Sequence, residues 1–262
     1  MNELFSLAVG QQDSLLPDAD FTRGMRAIGD SLQQHGAELA HLWDNKGDPE
    51  FVKIAPTCAR LMLEQSLATT LARLDPIRFI SIVKGSSSPD FLIGSKNASS
   101  FYWSKDVLPD VKPTAAGLWS QETLSKTLHR AMLDGHLADY LFGSAHVKAI
   151  EGLTDKTAGD AELPQWIISL LKYESGTHVL STLRKKAGES FSSLSKGIHF
   201  EFFKGNTTGL SVEEITAAVS GAIAVAATTG LYSHFTDIAL RRISQENAIS
   251  HFLFLVKKFD CQ

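Results

Sequence analysis

The stretch SVEEITAAVSGAIAVAATTGLYSHF, residues 211–235, decides the fold class. Ser211-Val212-Glu213-Glu214 is a capping box. The Ser211 hydroxyl can accept the backbone N–H of Glu214, while the Glu214 carboxylate reaches back to the N–H of Ser211. Behind that start come 21 residues, Ile215 to Phe235, without an Asp, Glu, Lys or Arg. Ile215, Ala218, Val219, Ala222, Ile223 and Ala226 recur at helical spacing and mark a core face. The run is built largely from Ala, Gly, Ser and Thr, whereas a bilayer-spanning helix needs about 20 residues, mostly larger aliphatic ones. The segment is expected to be a buried helix of a soluble protein, with small residues that let neighbouring helices approach.

Helical signals extend outward from it. Phe21, Met25, Ile28, Leu32, His35, Leu39 and Leu42 form one apolar seam, with Asp20 as N-cap, and Asn45-Lys46-Gly47-Asp48-Pro49 stops the helix. His35 lies on that seam and is expected to be a core-edge histidine. A second helix is expected from Thr57 to Leu74, with Pro56 before it, Asp75-Pro76 after it, and Leu63, Leu67, Leu71 and Leu74 on one side. Arg60 and Glu64 stand four apart on it, as a surface pair or a partly buried one. Ser120 caps a helix to Phe142, and two more cover 164–175 and 177–193. Ser244 caps the last, in which Ile249, Phe252, Leu253 and Val256 face the core and Lys257-Lys258 meet the C-terminal dipole.

Residues 77–119 differ. Phe79-Ile80-Ser81-Ile82-Val83 fits a short strand or a helix, and Phe91-Leu92-Ile93 and Phe101-Tyr102-Trp103 read as the arms of a small β-hairpin between turns. The expected fold is all-α: a bundle of about seven helices. It comprises an N-terminal helical part (1–76), a loop-rich surface insertion (77–119) and a C-terminal bundle (120–262) that forms one compact unit with the first part.

Composition narrows the function. The 262 residues are 44% hydrophobic and carry a net charge of −4, so no overall basic field supports indiscriminate nucleic-acid binding. Cys58 and Cys261 make neither a disulfide framework nor a C-x-x-C zinc site. The N-terminal 20 residues lack the basic and apolar regions of a signal peptide, so a cytoplasmic location is expected. There is no Walker loop, dinucleotide fingerprint, H-E-x-x-H or G-x-S-x-G. Glu174 and His178 are spaced like a metal pair, but Gly176 between them is expected to break the helix, and no cofactor or metal is expected.

The chemically richest segment is Leu194-Ser195-Lys196-Gly197-Ile198-His199-Phe200-Glu201-Phe202-Phe203, preceded by Arg184-Lys185-Lys186. Beside Lys196, apolar neighbours are expected to place His199 and Glu201 at a core edge, where a histidine's proton affinity is tunable across neutral pH. His199-Phe200-Glu201 is an H-x-E triplet, but P-C-x-x-C is missing, which excludes a zinc deaminase. Arg130, followed after five residues by His136, is a second cation–histidine pair, with His129 seven positions from His136 and on its helical face.

The L-S-x-x-x-H-x-E pattern at 194–201, late in an all-α chain and after a basic helix, resembles the distal segment of HEPN-type helical proteins of bacterial toxin and antiphage (abortive-infection) systems. The resemblance covers about the last 140 residues. It implies a metal-independent ribonuclease with an arginine four to six residues before a histidine, at the mouth of a dimer groove. His199 matches the histidine. The arginine position falls on Ser192, Ser193 or Leu194, so Lys196 is the nearest cation there, whereas Arg130 and His136 keep the spacing. The implied chemistry needs no metal: a neutral histidine takes the 2′-hydroxyl proton of RNA and a cation stabilises the phosphorane-like transition state. Phe101-Tyr102-Trp103, with Lys96 and Lys105, is either a base-stacking platform or a hairpin packed on the bundle.

Two functions follow as expectations. One is an RNA-cleaving effector whose site draws on His199, Glu201, Lys196, Arg130 and His136. The other is a non-catalytic helical interaction or regulatory subunit of a defence or toxin–antitoxin complex. The expected partner is a second copy or a protein of the same operon, with RNA as a candidate ligand and no membrane. A membrane-disrupting role for 215–235 is the third alternative.

Overall fold

The computed structural model describes residues 1–11, 18–87, 135–160, 162–173, 175–198 and 210–261. Among these residues there are nine helices and no strand: α1 (Asn2–Val9), α2 (Ala19–Asp44), α3 (Pro49–Leu74), α4 (Pro76–Ser86), α5 (Gly135–Thr157), α6 (Gln165–Leu171), α7 (Gly176–Ile198), α8 (Val212–His234) and α9 (Gln245–Lys258). The chain is an all-helical bundle.

α8 is its axis. Both hydrogen bonds of the capping box form, Glu214 N–H to Ser211 Oγ at 3.2 Å and Ser211 N–H to Glu214 Oε2 at 2.7 Å. From Ala218 through Thr236 every residue is buried, not only the face marked by Ile215, Ala218 and Val219. The helix is apolar or small all round because α1, α3, α5, α7 and α9 all pack against it. It is long and apolar enough to cross a membrane, yet 89% of that apolar window is enclosed by protein.

Several helix ends differ from the sequence expectations, each for a local reason. The cap of α2 is Asp18, which accepts Phe21 N–H at 2.9 Å, while Asp20 sits in the first turn and pairs with Arg23 at 2.7 Å. α3 starts eight residues before Thr57, because Pro49 occupies a first-turn position where its missing N–H costs nothing. Pro56 lies inside α3, buried against α7: a Cβ on Gly197 would stand 2.9 Å from its ring. Residues 79–83 are helical. Phe79 and Ile82 of α4 are buried against α2 and α3, so this part of the 77–119 segment belongs to the core instead of a surface insertion. Gly176 does not break a helix but opens α7, and α5 continues to Thr157, well beyond Phe142. The hairpin arms at 91–93 and 101–103, the aromatic platform and the Ser120 cap lie outside the described residues.

The two ends of the chain are joined through the core. The Trp43 indole N–H donates to the Lys258 carbonyl at 3.0 Å, and its ring stacks with Phe259, centroids 4.9 Å apart. α1, unexpected from the sequence, buries Leu4, Leu7, Ala8 and Val9 against α3, α8 and α9.

Candidate functional site

A concavity that includes one of the predicted residues lies between α7 and α8. Along α7, Lys186, Glu189, Ser190, Ser193 and Lys196 recur at spacings of three, one, three and three, so they share one face. Opposite them stand Glu214, Ala217, Ala218 and Gly221 of α8, at spacings of three, one and three. Serine, alanine and glycine side chains are too short to fill the space between two helices, and a groove of about 420 Å³ results, with Leu210 at one end. Gly221 brings the two helices close there: a Cβ would push the Ser190 hydroxyl aside.

The groove is electrically balanced, with two lysines and two glutamates. Lys186 is half-buried with its Nζ 4.5 Å from the centre of the Trp166 ring; burial holds its pKa below the ordinary lysine value, against the attraction of nearby Glu189. Lys196 is exposed on the rim. The Glu214 carboxylate is committed to the capping box. No histidine lines the groove among the described residues.

Of the residues singled out from the sequence, Lys196 alone is placed in this groove. His199, Glu201 and Arg130 lie outside the described residues, and His136 falls in the first turn of α5. The structure therefore does not bring Arg130 together with His136, or His199 with Lys196, as a described pair. Glu174 also lies outside, while His178 is exposed with Nδ1 3.1 Å from Ser175 Oγ. His35 sits at the core edge, Nδ1 3.3 Å from Ser31 Oγ, which accepts the Gln65 side-chain amide at 2.7 Å. Arg60 and Glu64 pair at 3.8 Å, with the guanidinium 4.4 Å from the Phe191 ring centre; burial raises the Glu64 pKa against the pull of Arg60. Cys58 and Cys261 are both buried and free, and burial pushes the Cys261 thiol up to about 12.

The buried polar centres have no signature in the residue pattern. Arg73 is fully buried. Its Nη1 donates to the Leu7 and Ala8 carbonyls at 2.9 and 3.3 Å and to Ser233 Oγ at 2.8 Å, and its Nε donates to the Leu240 carbonyl at 2.9 Å. Burial, reinforced by Arg241 and Arg242, lowers its pKa to about 9, so it stays charged at neutral pH. His234 donates from Nε2 to the Leu7 carbonyl at 3.0 Å, leaving Nδ1 to accept the Ile243 N–H at 3.2 Å and Arg73 Nη2 at 3.1 Å. Those donors fix a neutral imidazole protonated at Nε2. A second centre joins two helices, α5 and α8, and the loop after α6. His146 donates from Nε2 to the Tyr173 carbonyl at 2.9 Å and meets the Tyr232 hydroxyl at 2.7 Å through Nδ1; burial raises the Tyr232 phenol. Nearby, the Trp166 indole N–H donates to Thr228 Oγ1 at 3.0 Å. These groups are saturated by structural bonds and closed to solvent. Among the described residues no group of three His, Cys, Asp or Glu is arranged to hold a metal.

The chain matches no protein-family model, no curated protein and no solved structure.

Proposed function

We propose that this protein is a helical interaction subunit that receives a segment of a partner protein in the α7–α8 groove, in the defence or toxin setting that the 194–201 resemblance implies. The observation that carries this is the make-up of the groove: an open slot with a small-residue floor and balanced charges. Such a surface offers complementary pairing to a peptide segment, and no histidine lines it among the described residues. Lys186 and Lys196 are ten residues apart on one helix, about 15 Å. The fitting segment carries two carboxylates at that separation and a base between them to meet Glu189.

A second function, RNA cleavage, is favoured by one specific observation. Lys196 stands exposed on the groove rim three residues before His199 in the chain, with Glu201 two further on. In that function Lys196 would supply the cation and His199 the base for a phosphodiester.

One experiment separates the two. A photo-crosslinking residue is placed at Ala217, exposed in the groove, or at Lys53, exposed outside it, in cells expressing the chain. The interaction function predicts an adduct with one protein at 217, absent at 53 and lost on Lys196→Glu. An adduct with RNA at 217, together with RNA cleavage by the pure protein that His199→Ala or His136→Ala abolishes, would replace it with the second. No adduct at either position would sink the groove as the binding surface.

A further inference from the structure

A second, smaller cavity lies between α1, α2 and the loop that joins α8 to α9. Its volume is about 120 Å³. Phe5, Val9, Phe21 and Met25 form an apolar floor, all buried except the partly exposed Phe5. The polar lining is Thr22, Arg26, Asp30 and Arg241. Two guanidiniums and one carboxylate leave this small enclosure with net positive charge. Neither Arg26 nor Arg241 has a carboxylate within 4.0 Å among the described residues, although Asp30 shares the cavity.

Arg241 is held in place by its backbone. It adopts a left-handed conformation, φ 55°, uncommon for a residue with a side chain. The Gln11 N–H donates to the Arg241 carbonyl at 3.0 Å, and Arg241 Nε donates to the Gln11 carbonyl at 2.5 Å. Gly10, at φ 72°, makes the approach possible: a Cβ there would stand 1.8 Å from the Arg241 oxygen. This two-bond clamp spends Nε on the backbone, and among the described residues the two terminal guanidinium nitrogens have no hydrogen-bond partner, a fork whose geometry recognises a carboxylate. Gly29 lets the Phe5 ring lie close to α2, since a Cβ there would meet it at 3.3 Å.

We propose that this cavity binds a small carboxylate carrying a short branched apolar group, its carboxylate held by Arg26 and Arg241 and its hydrocarbon on Phe5, Phe21 and Met25. Asp30 distinguishes two sources of that chemistry. A simple carboxylic acid leaves Asp30 unused, whereas an amino acid offers its ammonium to Asp30 and its carboxylate to the arginines. This site is separate from the α7–α8 groove, and its occupancy does not depend on what binds there.

The test uses the full-length protein with isovalerate and leucine as probes and inorganic phosphate as control, all at fixed ionic strength. Binding is read as saturable shifts of the Gly29 and Arg241 amide signals in ¹⁵N spectra. At least one probe is expected to saturate, phosphate to do so at least tenfold more weakly, and Arg26→Gln to weaken the organic probe at least tenfold. Arg26 is exposed on α2, so that variant keeps the fold even if Arg241→Asn does not. Asp30→Asn weakens leucine while sparing isovalerate if the ligand is an amino acid, and spares both if it is a simple acid. No saturable shift with either organic probe would overturn the proposal. Phosphate binding as tight as theirs, or binding unaltered by Arg26→Gln, would do the same.

Discussion

Arg73 ends α1. A helix leaves its last carbonyls without intrahelical donors, and α1 buries that end, so water cannot serve them. Arg73 and His234 supply the missing donors to Leu7 and Ala8 from elsewhere in the chain. Arg73→Met is expected to cost more than about 3 kcal/mol, because it strands several buried acceptors at once. Amide exchange at Gly10 and Gln11 should accelerate ahead of α8, and unchanged protection would show that α1 is held by its apolar contacts alone. His234 gives a pH signature. Burial and the adjacent Arg73 hold its pKa near 3, against 6.5 unperturbed. Between those values the unfolded chain binds a proton that the folded chain refuses. The contribution is therefore complete above about pH 6.5 and shrinks as pH falls toward 3. Denaturant titrations at pH 7.5 and pH 5 should differ by about 2 kcal/mol from this group, and His234→Gln should flatten that slope.

Elements show what a sequence pattern can and cannot carry. The interior of α8 is closed on all sides, so Ala222→Leu should overpack it and destabilise by about 1–3 kcal/mol, measurable as a shift in the denaturation midpoint. That helix was legible because its cap, its lack of charge and its small residues are local facts. The seam from Phe21 to Leu42 was legible for the same reason. α1 was not, since eight residues cannot sustain a helix in water and this one exists through its neighbours. Pro56 suggested a helix start because its lost N–H is a local cost, while the glycine of α7 that makes room for it is 141 positions away. Phe79–Val83 satisfied strand and helix equally, and burial of Phe79 and Ile82 against α2 and α3 decided between them.

At the scale of the whole molecule, α8 has the composition to enter a bilayer and the position of a core. The chain is expected to remain in the soluble fraction of a lysate and to leave dye-loaded neutral vesicles intact at pH 7; leakage would revive a membrane-disrupting role. The candidate groove was only half legible. Lys186, Glu189, Ser190, Ser193 and Lys196 have helical spacing, but such a stripe is indistinguishable from a solvated face until α8 is known to lie opposite. Arg73 was invisible, because an arginine in a helix normally means surface. Its placement has a consequence for biosynthesis. The end of α1 needs Arg73 and His234, Arg73 in turn is held by Ser233 and Leu240, and Trp43 needs Lys258. Contacts so distant in sequence make folding slow and leave nascent chains exposed. Until Ser233, His234 and Leu240 are delivered, Arg73 lacks those partners and the end of α1 lacks one of its donors, so a chain truncated before Ser233 is expected to be degraded faster in cells than the whole one.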